Sequence, residues 1–166
     1  MAQQVLDLVK RAAQASIKYV AMAGAALVAI TLLSKIPYVG GLFVCVNVIG
    51  LLAIAFGIGY LVTPQIPNLP GGQSKPLLAL WIGIGIAVPL TIAVVVAGLV
   101  GNLFDVLINS YTLLGGIFHI VGGLFVGLIG TVLIGTALAW LGSFFSLDRN
   151  PYMAGVQGPP AAGRPF

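Results

Sequence analysis

Long apolar segments without charge alternate with short polar segments along this chain of 166 residues. No formal charge occurs in residues 36–73 or 76–104, and residues 106–147 contain only the single histidine, His119. An apolar segment of 18 or more residues can cross a bilayer as a helix. The apolar positions are continuous rather than alternating, which excludes the two-residue period of a membrane β-barrel. The pattern therefore predicts an all-α integral membrane protein.

Four transmembrane helices are predicted at about 19–35, 39–62, 77–100 and 117–141, within a transmembrane domain covering 19–147. Pro37 ends the first helix, and four prolines with a Gly-Gly pair make 63–76 an extended connection. Pro89 lies near the middle of the third helix, where a proline predicts a kink. We expect a bundle of four helices.

Three further segments flank these helices. Residues 1–18 have an amphipathic pattern, which predicts either a helix lying on the membrane surface or an extension of the first span. Residues 101–116 carry Asn102, Asp105 and Asn109 at helical spacing, which predicts a short interfacial helix between spans three and four. Residues 148–166 are rich in proline and glycine, which predicts a disordered tail.

One short repeat is present. The hexapeptide Val-Gly-Gly-Leu-Phe-Val occurs at 39–44 and again at 121–126, in the two even-numbered spans. A parallel duplication of a two-helix unit would explain this repeat and would place a pseudo-twofold axis along the membrane normal. The alternative is coincidence within a sequence rich in glycine, valine and leucine.

The few charges predict the orientation of the chain. Only 6% of the residues are charged, against about a quarter in a soluble domain, and the net charge is +4. An even number of spans places both termini on one side, leaving Lys35 alone on the other. The remaining cations share the side of the termini: Lys10, Arg11, Lys18, Lys75, Arg149 and Arg164. The positive-inside rule then predicts a multi-pass protein of the plasma (inner) membrane with cytoplasmic termini. Cations this scattered form no basic patch for nucleic acid.

Few side chains could carry chemistry. His119, with the small Gly115 one turn earlier, is a candidate pigment ligand, and an ordinary interfacial histidine is the alternative. Asp105 is the one acid near the membrane interior, and Asp105 with His119 is the only candidate acid–base pair. Asn47, inside span two, is expected to hydrogen-bond between helices. The chain has no glutamate and one cysteine, Cys45, so catalysis is not expected and no cofactor is required.

Glycines within the spans predict close helix packing. The candidates in spans two and four are Gly40, Gly41, Gly122, Gly123, Gly127 and Gly130. They would either receive a partner helix, a lipid or a pigment tail, or pack within the same bundle.

These observations predict a non-enzymatic accessory subunit of a membrane complex of the respiratory or photosynthetic type, or a homo-oligomer. The expected partners are the lipid bilayer and other membrane subunits or a second copy. One alternative is a channel or transporter for ions or small solutes, formed by a homo-oligomer and lined by Asn47, Thr91 or Asn102. Another is a membrane-surface organiser that uses residues 1–18 and the tail to recruit partners.

Overall fold

The computed structural model describes residues 2–36, 38, 40–109 and 113–153. The helices are α1 (Ala2–Leu33), α2 (Gly40–Val62), α3 (Lys75–Asn109), α4 (Leu113–Gly130) and α5 (Thr136–Ser146). A π-helical turn, Thr131–Gly135, joins α4 to α5, and short 3-10 turns occupy Thr63–Gln65 and Leu147–Arg149. No strand occurs in these ranges, and four helical segments are long and apolar enough to span a membrane. The predicted all-helical class is confirmed.

The helices form a four-membered ring in the order α1, α3, α4–α5, α2. Helices α1 and α3 run parallel along most of their length, with Gly24 against Ala93 and Gly101 against Thr31. Helix α2 packs on α1 and, in its second half, on α5. The contact between α2 and α5 is close because Gly59 and Gly142 have no side chain. A Cβ atom at Gly142 would collide with the Phe56 carbonyl oxygen.

The buried core is concentrated at the end of the bundle that holds the start of α1 and residues 147–153. Leu8, Leu78 and Ile82 are fully buried there. With 23 residues α2 is about 35 Å long, whereas α3 with 35 residues is about 52 Å long. The connection after α2 therefore fills the fourth corner of the ring, with Ile66 completely buried.

Polar side chains hold this connection in place. Arg11 Nη1 donates to the carbonyl oxygens of Pro67 and Asn68, at 2.7 and 3.0 Å. From the other side, the buried Asn150 Nδ2 donates to the carbonyl oxygens of Thr63 and Ile66, at 2.7 and 2.9 Å. The connection between α2 and α3 is thus held both by α1 and by the segment that follows α5.

Replacing Asn150 by alanine is expected to lower the free energy of unfolding by about 1–3 kcal/mol, because two carbonyl oxygens lose the hydrogen bond from the buried Asn150 amide. Thermal denaturation in detergent measures the change, with the exposed Gln3→Ala variant as control. Equal melting temperatures for the Asn150→Ala variant and the wild type would contradict the assignment.

Residues 2–18 are continuous with the rest of α1 and do not form a separate helix. Leu8, Ala12 and Ser16 are fully buried, and the same buried stripe continues through Val20 and Leu27. Of the two arrangements that the sequence allowed, the structure therefore has the extension. This stripe packs against α3 and the α2–α3 connection, which keeps the segment within the bundle.

The predicted interfacial helix at 101–116 is also wrong. Helix α3 continues without interruption through Asn109, because Gly101 packs against Thr31 and keeps this segment beside α1. Residues 110–112 lie outside the described part, and α4 begins at Leu113. The predicted tail begins at 148, but 148–153 are packed on the bundle, with Met153 buried. Residues 154–166 lie outside the described part.

The ring order contradicts the pseudo-twofold axis expected from the repeat. A twofold axis along the bundle would exchange α1 with α3 and α2 with the α4–α5 segment. In a ring of four helices, the two members of each exchanged pair must lie diagonally across from each other. Helices α1 and α3 are neighbours instead, and so are α2 and α5. The two copies of the hexapeptide are not related by such an axis.

Candidate functional site

Asp105 lies at the centre of a polar cluster at the end of the bundle opposite the start of α1 and residues 147–153. Its Oδ2 atom lies 2.9 Å from Lys35 Nζ and 3.0 Å from His119 Nε2. Its Oδ1 atom accepts a hydrogen bond from Asn109 Nδ2 at 3.0 Å. The Asp105 side chain is 17% exposed. One carboxylate thus links the turn after α1, the end of α3 and the first half of α4.

Local structure explains this convergence. Asp105 and Asn109 stand one helical turn apart on α3, so their side chains share a face. The end of α1 closes in a turn, in which Lys35 N donates to Leu32 O at 3.1 Å, and this turn directs Lys35 to α3. The charges of Lys35 and Asp105 neutralise each other. A neutral His119 can donate from Nε2 to the carboxylate, and a protonated one adds a positive charge.

The two residues that the sequence singled out as an acid–base pair are brought together. Asp105 and His119 are 14 positions apart, yet the pair is in hydrogen-bonding contact. His119 as a pigment ligand stays a prediction, and in this arrangement its Nε2 atom faces Asp105. Gly115 lies in α4 one turn before His119. The sequence presents Lys35 only as a topology signal, and no sequence pattern indicates its contact with Asp105 across 70 positions.

The predicted polar residues of the spans lie one or two turns deeper. Asn47 Nδ2 donates to Thr31 Oγ1 at 3.3 Å and thereby connects α2 to α1. The Asn102 side chain lies against Gly123, where an added Cβ would come within 2.6 Å of its amide nitrogen. Thr91 is separate from both, because it lies about three turns before Asn102 along α3, in a groove lined mainly by apolar residues.

A cleft separates α2 from α4 on the α4 side of the π-helical turn. Helix α4 packs on α3 but not closely on α2, whereas α5 packs on both. A cavity of about 190 Å³ lies between Leu51 and Ala55 on α2 and Gly127 and Gly130 on α4. Much of α4 is correspondingly exposed, including Phe118 at 71% and Val126 at 74%. The cleft is a gap in an otherwise closed ring.

The glycines fall into two groups. Those at which an added Cβ would come within 3.0 Å of another helix are Gly59, Gly83, Gly85, Gly101, Gly123 and Gly142. An added Cβ would have no neighbour within 4 Å at Gly41, Gly122, Gly127 or Gly130. Of the predicted packing glycines, Gly123 meets another helix of the bundle, and Gly40 is the first residue of α2. Gly127 and Gly130 line the cleft instead of packing within the ring.

Within the described ranges, no group of three histidine, cysteine, aspartate or glutamate side chains could hold a metal ion. Comparisons with protein-family models, with curated proteins and with solved structures find no match to this chain.

Proposed function

We propose that this chain is a non-enzymatic, multi-pass membrane subunit whose α2–α4 cleft receives a transmembrane helix of another chain, either in a larger membrane complex or in a homo-oligomer. The observation that carries the proposal is the open cleft lined by Gly127 and Gly130, where an added Cβ would meet no atom within 4 Å. Small residues in membrane helices allow a neighbouring backbone to approach closely.

The apolar surface supports insertion in a bilayer. Large apolar side chains project from the bundle, with Leu107 exposed by 80% and Val126 by 74%. Water would disfavour this surface at about 25 cal/mol per Å², whereas lipid tails accept it. The start of α1 and residues 147–153 lie at one end, together with Lys10, Arg11 and Lys75. The positive-inside rule then favours a cytoplasmic position for that end.

The interior favours helix packing over a pore within one chain. The half of the bundle near the termini is filled by apolar side chains, including Ile58, Ile82 and Leu90. A pore lined by Asn47 and Thr91 would need both on one path, and they lie in separate cavities. The Asp105 cluster, in our proposal, fastens α1, α3 and α4 together and does no chemistry.

Filling the cleft tests this function. The double variant Gly127→Leu/Gly130→Leu is expected to fold, since the added side chains point into open space, but to lose the partner. Gly57→Leu is the matched control. An added Cβ at Gly57 also meets no atom within 4 Å, but Gly57 lies on the face of α2 opposite the cleft. Native mass spectrometry after purification in mild detergent measures the assembly.

We expect the wild type and Gly57→Leu to retain a second chain in a fixed ratio. In the double variant, the affinity for that chain should fall at least fivefold, which corresponds to about 1 kcal/mol of binding free energy. A wild type that is purely monomeric, or a double variant that assembles like the wild type, would refute the proposal.

A further inference from the structure

A second surface feature lies on the other side of the α4–α5 segment. A groove of about 1180 Å³ runs between α3 and the π-helical turn with α5. Its α3 wall extends from Leu77 to Ile92, which is about 22 Å along the helix. The opposite wall extends from Val132 to Trp140. Half of a bilayer core is about 15 Å thick, so the groove is long enough for the acyl chains of one leaflet.

Two helix irregularities lie beside this groove. Pro89 occurs within α3 without ending it, and the π-helical turn Thr131–Gly135 lies across from it, with Gly135 near Leu90. A π-helical turn inserts an extra residue and rotates the helix that follows, and such turns often occur at functional sites. Both irregularities are at the level where the groove is lined by apolar residues.

The groove ends at charged and polar groups near the start of α3. Trp140 Nε1 donates to Pro76 O at 3.1 Å and closes the apolar part. Beyond it, Lys75 Nζ lies 4.7 Å from the centre of the Phe144 ring and 2.6 Å from Asp148 Oδ2. This ion pair reaches the surface, with side-chain exposures of 28% for Lys75 and 63% for Asp148. A positive and a negative group thus stand side by side beyond Trp140, next to the residues that line this end of the groove.

We propose that this groove binds a phospholipid with a zwitterionic ethanolamine headgroup. The phosphate would lie at Lys75 and the headgroup ammonium at Asp148, with the acyl chains along the apolar walls. An anionic glycerol headgroup has no cation to place at Asp148, and a choline headgroup has no N–H to donate. The inference rests on the proposed membrane location and assigns a lipid to a surface separate from the α2–α4 cleft.

The test compares three lipids on the purified full chain. Phosphatidylethanolamine, phosphatidylglycerol and phosphatidylcholine with identical acyl chains are added to delipidated protein, and native mass spectrometry counts the bound molecules. The wild type is expected to prefer phosphatidylethanolamine over each of the others by about tenfold. Asp148→Asn is expected to remove most of this preference, and its exposed position makes it compatible with folding.

A bulky substitution tests the groove itself. Ala137→Trp places a large ring in the groove and is expected to reduce lipid retention at least fivefold, about 1 kcal/mol. Ala53→Trp, on an exposed face of α2, is the matched control. Equal retention of the three lipids by the wild type, or full retention by Ala137→Trp, would overturn the inference. The cleft variant Gly127→Leu/Gly130→Leu should keep the lipid while losing its partner chain, which separates this inference from the proposed function.

Discussion

Replacing Gly142 by alanine is expected to lower the free energy of unfolding by about 1–3 kcal/mol, as overpacking in a close contact does. The added Cβ would collide with the Phe56 carbonyl oxygen and lie 3.0 Å from Tyr60 N. These are backbone atoms, so no rotation of a side chain can relieve the collision, and α2 and α5 must move apart. Thermal denaturation in detergent measures the loss.

The matched control for this prediction is Gly57→Ala in α2. A Cβ at Gly57 has no neighbour within 4 Å, so alanine there is expected to be neutral or to stabilise the helix by up to ~1 kcal/mol. If both variants melted at the same temperature as the wild type, the close contact between α2 and α5 would be wrong.

Replacing Asp105 by alanine is expected to cost about 1–3 kcal/mol and to loosen α4. The substitution leaves Lys35 without its counter-ion and removes the acceptor for both Asn109 and His119. Because α4 packs mainly on α3, amide hydrogen exchange within 113–130 should accelerate more than exchange in α2. Thermal denaturation and hydrogen exchange measure the two effects.

A double variant distinguishes loss of the ion pair from general damage. Lys35→Met/Asp105→Leu removes both charges, and an apolar pair can replace a part-buried ion pair at little cost. We expect it to be more stable than Asp105→Ala. If Asp105→Ala melted like the wild type and kept the slow exchange of α4, the cluster would not be what fastens these helices.

The number and approximate position of the long helices could be predicted, because they follow from the lengths of the uncharged apolar segments. Their ends could not. Lys10 and Lys18 suggest a boundary at the membrane surface, but α1 continues past both. The reason is that the buried stripe through Leu8 and Ala12 packs against a connection more than fifty residues away. Asn102 and Asp105 lie on a helix, as their spacing predicts, but this helix is α3 and not a separate one.

The candidate site was predictable in part. Asp105 and His119 stood out because so few other titratable groups exist, and a short connection between α3 and α4 brings them together. Lys35 is 70 positions from Asp105, so only the packing of α1 on α3 reveals that contact. Gly85 and Gly127 lie in similar sequence surroundings, but one packs on α1 and the other faces open space. That difference depends on how each helix is rotated in the ring.

Photo-crosslinking in intact membranes, with benzoylphenylalanine placed at Val126, would detect a partner helix in the α2–α4 cleft. The same probe at Ala53, on the opposite face of α2, is the control. We expect one discrete crosslinked protein product from position 126 and none from position 53. Lipid adducts alone from position 126, or identical protein products from both positions, would show that the cleft does not receive a partner helix.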